Sequence, residues 1–437
     1  MSDLGTAPVR TEFFRYVSQN IMGVLGMSAY FFADTFFISQ TAGADGLTAL
    51  NLILPFFYLI YAIGSMLGIG AATRFTLARA RGLASDGYFG NAVSFALAIG
   101  AVFAAAGWFW AEELLAFFGA DGGIVAVGGI YLRVTLMSAW GFLVCIVMEA
   151  FVRNDGSPRL VMAGMLISSA YNIIFDYLLI FPMGLGFFGA ALATGTAPLV
   201  GILVCMCHFF KPGNSLHFKA DFSLRQVISS AELGVSAFVV EISPCAVMIL
   251  YNSLFLSYAG NTAVAAYGVV ANLATMAGAI FSGLVQGAQP LMSFYHGRRL
   301  FARRGQVLRL SFVTAFCLAA LIFAGLWLGC HEVTAVFNRD GDMAFAAYAE
   351  FGILHYFPGF FFSGLNVVGA GFLSATEEPR LAGLISVLRS FVMLFAAGVT
   401  LPLILGMTGI WLCYPAAELA TFFVLVWALR ESLQHES

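Results

Sequence analysis

The stretch LVMAGMLISSAYNIIFDYLLIFPMGLGFFGAALATGTAPLVGIL, residues 160–203, decides the fold. Two apolar runs, each long enough to cross the hydrocarbon of a bilayer, flank Phe181-Pro182-Met183-Gly184-Leu185-Gly186, whose proline and glycines favour a tight turn. The stretch therefore reads as a helical hairpin in lipid. It also holds residues that are costly there. Asn172 and Asp176 are four apart and share one helix face. Thr194 follows on the next run. An acidic residue inside a membrane helix marks a functional site by default, and Asp34 lies in an equally apolar run far upstream.

The rest of the chain repeats this composition. Of 437 residues, 61% are hydrophobic and only 10% charged, whereas soluble domains carry about 25% charged residues. Apolar runs recur from Phe13 to Leu429 and give twelve spans, near 13–38, 47–77, 88–111, 125–152, 160–181, 187–210, 227–257, 264–294, 306–330, 345–373, 381–402 and 408–430. The fold class is an all-α polytopic membrane protein. The net charge of -3 gives no sign of nucleic-acid binding, and seven scattered cysteines show no metal-ligand spacing. The start, Met1-Ser2-Asp3-Leu4, has no basic region and reads as no removable signal peptide.

Lysine and arginine set the orientation. One set of loops and helix ends holds 17 of the 20 basic residues, among them Arg15, Arg74, Arg79, Arg81, Arg159, Lys211, Arg298, Arg299 and Arg380. The opposite loops hold Arg339 and a few acids, Asp45, Glu112, Glu113 and Asp121, while Arg133 and Arg389 lie within spans four and eleven. Both termini are expected on the cytoplasmic side of the cell inner (plasma) membrane.

The chain also repeats itself. Pro182, Leu185, Gly186, Gly189 and Leu192 recur 220 residues later as Pro402, Leu405, Gly406, Gly409 and Leu412. Pro158-Arg159-Leu160 recurs as Pro379-Arg380-Leu381, and Gly43, Gly70, Ala71 and Arg81 recur 217 residues later as Gly260, Gly287, Ala288 and Arg298. Six spans per half make a parallel repeat about an axis along the membrane normal, with sites expected at the repeat interface. The expected division is an N-terminal lobe at 1–210, a cytoplasmic linker at 211–226 and a C-terminal lobe at 227–437.

Motifs in both halves resemble one family. Tyr267-Gly268-Val269, then Gln286-Gly287-Ala288-Gln289-Pro290-Leu291-Met292-Ser293 and Tyr295-His296-Gly297, resemble the signature of the multidrug and toxic compound extrusion (MATE) family. Phe151-Val152-Arg153-Asn154-Asp155-Gly156-Ser157-Pro158 resembles its turn between spans four and five. The resemblance implies cation-coupled export of organic cations and other drugs, and it points to Asp34, Asn172, Asp176 and Thr194 as the cation-coupling residues. Relatives in the wider superfamily move lipid-linked sugars.

The residues themselves fit that assignment. Asp34 and Asp176 each lie about 9 Å, and Thr194 about 10 Å, below the end of its span opposite the basic side. In the repeat, Asn172, Asp176 and Thr194 fall on Val392, Ala396 and Tyr414, so the cluster belongs to the first half alone. Two carboxylates in a poorly hydrated pocket repel, so at least one is expected to hold a proton near neutral pH. The same oxygens are also hard ligands for Na⁺, and the sequence leaves H⁺ and Na⁺ both open.

Glu241, near the middle of span seven and three residues before Pro244, is a further carboxylate for coupling or for the charge of a cationic substrate. His355 in span ten can titrate near neutrality. Arg389 is expected to reach the cytoplasmic side or a partner, and Met27, Tyr30 and Phe31 to line a cavity near Asp34. Pro55, Pro198, Pro244, Pro290, Pro358 and Pro415 interrupt spans and permit bends.

Secondary active efflux of amphipathic, cationic compounds by a functional monomer is the leading expectation. It needs small-molecule substrates, membrane lipids and a coupling ion, and no other cofactor. The alternative is a flippase or exporter of a lipid-linked or other amphipathic metabolite, which would want several basic residues within its cavity. An enzyme is not expected: the chain has no H-E-x-x-H site, no Gly-x-Gly-Asp pattern and no P-loop.

Overall fold

The structure is a computed structural model that describes residues 7–219, 223–338 and 342–434. The expectations on Met1–Leu4 and Arg339, and on the side chain of Asp45, lie outside what it describes.

Among the described residues, ten single helices are long and apolar enough to cross a membrane, and two bent pairs bring the number to twelve. They are α1 Val9–Ile38, α2 Thr48–Ala80, α3 Gly87–Phe117, α4 Gly122–Met137 with Ala139–Asn154, α5 Pro158–Ile180 and α6 Gly186–Phe210. The second half has α7 Leu224–Gly260, α8 Thr262–Gly297, α9 Phe301–Leu328, α10 Met343–Tyr356 with Gly359–Ala375, α11 Pro379–Leu405 and α12 Met407–Gln434. Each expected span falls on one of these, with ends shifted by a few residues. The α7 helix starts at Leu224, capped by Ser223 Oγ accepting from Gln226 N at 3.3 Å.

Side-chain contacts prove the reversals. The Tyr30 and Tyr61 hydroxyls are 3.5 Å apart, although 31 helical residues would separate them by about 46 Å along one axis. The Tyr251 and Tyr267 rings stack with centroids 4.8 Å apart, and the reversal between them is made at Gly260, with φ 71° and ψ -162°, open to glycine alone.

The two bends differ in cause. In α10 the 46° bend falls at Phe357-Pro358, where proline interrupts the helical ladder. In α4 the 45° bend at Ser138 has no proline. There Ser138 Oγ donates back to Val134 O at 2.9 Å and Thr135 O at 3.0 Å, a local competition with the ladder that bends helices.

Buried apolar side chains form two large clusters. One runs from Ile38 to Val227. The other runs from Tyr251 to Ala417, but it also takes Val9, Phe13, Tyr16, Val17 and Ala80 from the first half. The basic end of α1 thus packs into the second half. Gly287 of α8 makes this approach feasible, since a Cβ there would meet Val17 Cα at 2.7 Å.

The repeat extends to the backbone. Gly186 and its counterpart Gly406 both have positive φ, 52° and 58°. Gly82 and Gly156 close helix ends with φ of 73° and 89°. Their counterparts at shifts of 217 and 221 are Arg299 and Glu377, with φ of 57° and 63°, the two positive-φ residues other than glycine among those described. The hydrogen bonds match too, Ser157 N to Val152 O at 3.1 Å and Glu378 N to Leu373 O at 2.9 Å.

The linker is fastened to the first half by Asp155, in the turn after α4. Its buried carboxylate accepts from His208 Nε2 at 2.8 Å, from Ser215 N at 3.0 Å, and from Ser215 Oγ and Arg79. Burial alone would raise this carboxyl, but the hydrogen bonds from His208 and Ser215 and the Arg79 charge hold it below the ordinary carboxylate value. Its stabilisation is therefore present above about pH 3.9 and is lost as pH falls through the lower folded-state value. Asp155→Ala strands Arg79 and His208 and is expected to cost about 3 kcal/mol. The check is thermal melting at pH 7, and an unchanged melting point would show that the linker is not held there.

Candidate functional site

The structure brings the four expected residues, from three helices, to one buried point. Asp34 comes from α1, Asn172 and Asp176 from one face of α5, and Thr194 from α6, all at most 4% exposed. Helices α5 and α6 meet because the turn between them is tight and glycine allows contact; a Cβ on Gly189 would lie 2.9 Å from Leu179 C. Ser168 Oγ, donating to Ala197 O at 2.7 Å, fixes their register. Asn172 Nδ2 donates to Thr194 Oγ1 at 3.2 Å.

The sequence reading missed Tyr131, from the first segment of α4. It is fully buried, and its hydroxyl lies 3.5 Å from Asp34 Oδ2. One tyrosine among 15 carried no signal in the sequence.

The Asp34 and Asp176 carboxyls lie within hydrogen-bonding reach of each other, yet both are acceptors when ionised. Asp34 Oδ1, both Asp176 oxygens and Asn172 Oδ1 are buried without a donor. Such a set of buried acceptors is costly unless something positive joins it. A proton between the carboxyls, or a small hard cation among the oxygens, removes the conflict. Only two carboxylates are present, and among the described residues no group of three His, Cys, Asp or Glu side chains could hold a metal ion. A Na⁺ ion here would draw on the amide and hydroxyl oxygens as well.

Of the other expected residues, Tyr30 lies one turn before Asp34, within electrostatic reach of both aspartates, and the rest make contacts of their own. Glu241 on α7 is partly buried and hydrogen-bonds Ser65 of α2, so it sits where the two halves meet. His355 donates from Nδ1 to Phe351 O at 2.8 Å and stacks on the Phe351 ring at 3.7 Å. Tyr30 is buried against Tyr61, Phe31 stacks on Tyr30 and is 36% exposed, and Met27 packs against the first-half core.

Arg389 meets a partner within the second half. It lies in a π-helical turn, Leu388–Val392, and pairs with Glu418 of α12 at 2.7 Å. Arg389 Nη2 also donates to Ser363 Oγ, and Asn366 Nδ2 to Glu418 Oε2, at 2.8 and 2.7 Å. Glu418 and Glu149, which accepts from Cys145 Sγ at 3.6 Å, are intramembrane carboxylates that the rule applied to Asp34 would also have flagged.

At the basic end a polar layer joins the halves. Arg74 Nη1 donates to Glu377 Oε1 at 2.9 Å, Arg81 pairs with the same carboxylate, and Arg74 Nε donates to Ser229 O at 3.3 Å. Arg153 Nη1 donates to Gln286 Oε1 at 2.9 Å, and Gln289 Nε2 to Thr73 Oγ1 at 2.7 Å. Backbones touch as well: a Cβ on Gly70 would meet Ser230 O at 2.1 Å, and one on Gly234 would meet Met66 O at 2.0 Å.

Twelve membrane-crossing helices in two repeated halves define a multi-pass membrane protein with a transporter architecture. The MatE family model matches residues 20–178 and 238–399, most of the chain and both halves, and the chain belongs to this family of multidrug and toxic compound extrusion transporters. It is 26% identical over 444 residues to the multidrug export protein MepA of Staphylococcus aureus, covering 98% of this chain and 95% of the relative. The MepA of Staphylococcus saprophyticus is 26% identical over 426 residues, with 94% and 92% covered. Among solved structures, an outward-facing multidrug resistance MATE family transporter superposes with TM-score 0.91 at 19% identity, covering 100% of this chain and 98% of that one. A mutant of the Vibrio cholerae MATE transporter VcmN gives 0.90 at 19%, with 100% and 99% covered. These structural likenesses establish the fold.

Proposed function

We propose that the protein is a secondary active exporter of amphipathic organic compounds, including cations, that works by alternating access and is driven by H⁺ or Na⁺ entering at Asp34 and Asp176. The observation that carries this is the pair of buried carboxyl groups, three of whose oxygens, with Asn172 Oδ1, lack donors. Binding a positive ion there removes electrostatic cost, and release restores it. A coupling ion needs such a site, while a structural polar cluster would satisfy its own acceptors. The multidrug exporters of Staphylococcus, aligned over nearly the whole chain, support the substrate class.

The remaining geometry has a place in the cycle. The surplus of Arg and Lys supports a cytoplasmic position for the basic end and both termini. The polar layer there then seals the cytoplasmic side, as an outward-open state requires, with lobes divided at the 211–226 linker. Glu241 supplies negative charge between the lobes, where a cationic substrate would be held. Asn172, Thr194 and Tyr131 position the carboxyls and donate or accept as occupancy changes. The flippase alternative loses both basic anchors expected within spans, because Arg389 is paired with Glu418 and Arg133 with Glu112.

The test is efflux of a fluorescent cation from vesicles reconstituted with the protein, with ΔpH and ΔNa⁺ imposed separately. Export driven by one gradient is expected. Movement of the dye that ignores both gradients would overturn coupled transport. In the same vesicles a cysteine at Gly43 should react with an impermeant reagent from the outer side, and labelling from the inside would reverse the orientation.

A further inference from the structure

We propose that the basic end of the first half carries a phosphate-binding pocket, and that its ligand is the phosphate of an anionic phospholipid headgroup or free inorganic phosphate. Arg15 of α1, Gly156, Ser157, Pro158 and Arg159 at the turn into α5, and Lys211 after α6 enclose a cavity of about 210 Å³. At 30 Å³ per water, that is room for roughly seven waters, enough for a phosphate group with part of its hydration.

Three cations and no acid line it. Glu12 pairs with Arg15 at 2.9 Å and offsets its charge, while Asp155 is engaged outside the pocket on Arg79, His208 and Ser215, so Arg159 and Lys211 carry the net positive charge. Lys211 Nζ donates to Ser157 Oγ at 3.1 Å, which brings two donors to one wall. Among the described residues Arg159 has no acidic partner. Ser157 stands at the N-cap of α5 without capping it by its side chain, so the first turn adds its positive dipole end to the same space. Convergent guanidinium, ammonium and hydroxyl groups recognise a phosphate through charge-assisted hydrogen bonds.

The surroundings favour a lipid as the source. Phe14 and Phe210, next to Arg15 and Lys211 in the chain, are 45% and 88% exposed. An apolar rim beside a basic pocket at the membrane surface suits a headgroup whose acyl chains run along the helices. The pocket also lies at the foot of α5, the helix that carries Asn172 and Asp176, so an occupied pocket would hold that end in place.

The experiment titrates the purified full-length protein in detergent with dioctanoyl phosphatidylglycerol, dioctanoyl phosphatidylcholine and inorganic phosphate, reading bound ligand by native mass spectrometry and melting temperature. Phosphatidylglycerol is expected to bind the wild type and to bind Arg159→Gln/Lys211→Gln at least about tenfold more weakly. Arg298→Gln/Arg299→Gln, which removes the same charge elsewhere on that face, is expected to bind like the wild type. If inorganic phosphate shows the same dependence on Arg159 and Lys211 and the lipid does not, the pocket stands with free phosphate as its ligand. Equal binding by all three proteins, equal weakening by both double variants, or binding of neither phosphatidylglycerol nor inorganic phosphate by the wild type would overturn it.

Discussion

Asp34→Asn and Asp176→Asn are each expected to reduce gradient-driven efflux to the background of protein-free vesicles while the protein stays folded. Each carboxylate is buried, and together with Asn172 they leave four oxygens without a donor. Asparagine keeps the shape and hydrogen-bonding reach of aspartate but removes the charge that a proton or cation would neutralise. With one carboxyl replaced, the amide can donate to the remaining one, and the site is satisfied without an ion. The driving force is modest, about 2.3 kcal/mol per charge per 100 mV, so a switch built on this pair must be finely balanced, and a permanent donor ends that balance. The measurement is efflux under an imposed gradient, beside substrate binding and thermal melting on the same preparations. Wild-type efflux by both variants, with unchanged ion dependence, would show that the cluster only packs α1 against α5 and α6.

The second large effect is expected at the seal. Glu377 receives Arg74 and Arg81 from the opposite half, with side chains 23%, 24% and 40% exposed. Half-exposed pairs of this kind contribute up to about 1 kcal/mol each. Glu377→Gln should therefore shift the balance toward a state open at the basic end by about 1–2 kcal/mol, a factor of roughly 5–30 in population. Spin labels at Phe210 and Arg380, exposed on the two halves, should report a new longer distance, and this should shrink again when Arg74 and Arg81 are also made glutamine only if the arginines repel one another in the single variant. An unchanged distance distribution in Glu377→Gln would mean that the backbone contacts at Gly70 and Gly234 hold the seal alone.

Much of this was legible in the sequence, and the gaps have physical causes. Composition and periodicity locate the helices because lipid demands unbroken apolar runs with internally satisfied backbones. Asp34, Asn172, Asp176 and Thr194 stand out because a polar side chain in such a run is conspicuous. Tyr131 did not, since a tyrosine is at home in a membrane core and only its neighbours give its hydroxyl a role. The bend at Ser138 was hidden for a similar reason: serine bends a helix only when its hydroxyl turns back on the ladder, and the sequence does not say which way it turns. Glu418 and Arg389 cancel each other across 29 residues, a pairing that required the α11–α12 packing to be seen. The layer between the halves joins residues up to 303 apart, beyond the reach of any local pattern.

Gly156 and Glu377 occupy the same turn in the two halves, yet only the glycine adopts its left-handed backbone freely. A side chain in that conformation costs about 1 kcal/mol or more. In the sealed state Arg74 and Arg81 offset this cost by gripping the carboxylate. Once they withdraw, the turn is free to relax and no longer presents its oxygens in the gripping position. Closing must then restore the twist before the arginines can re-engage, so the turn behaves as a latch that springs on release, with the spring present in one half only.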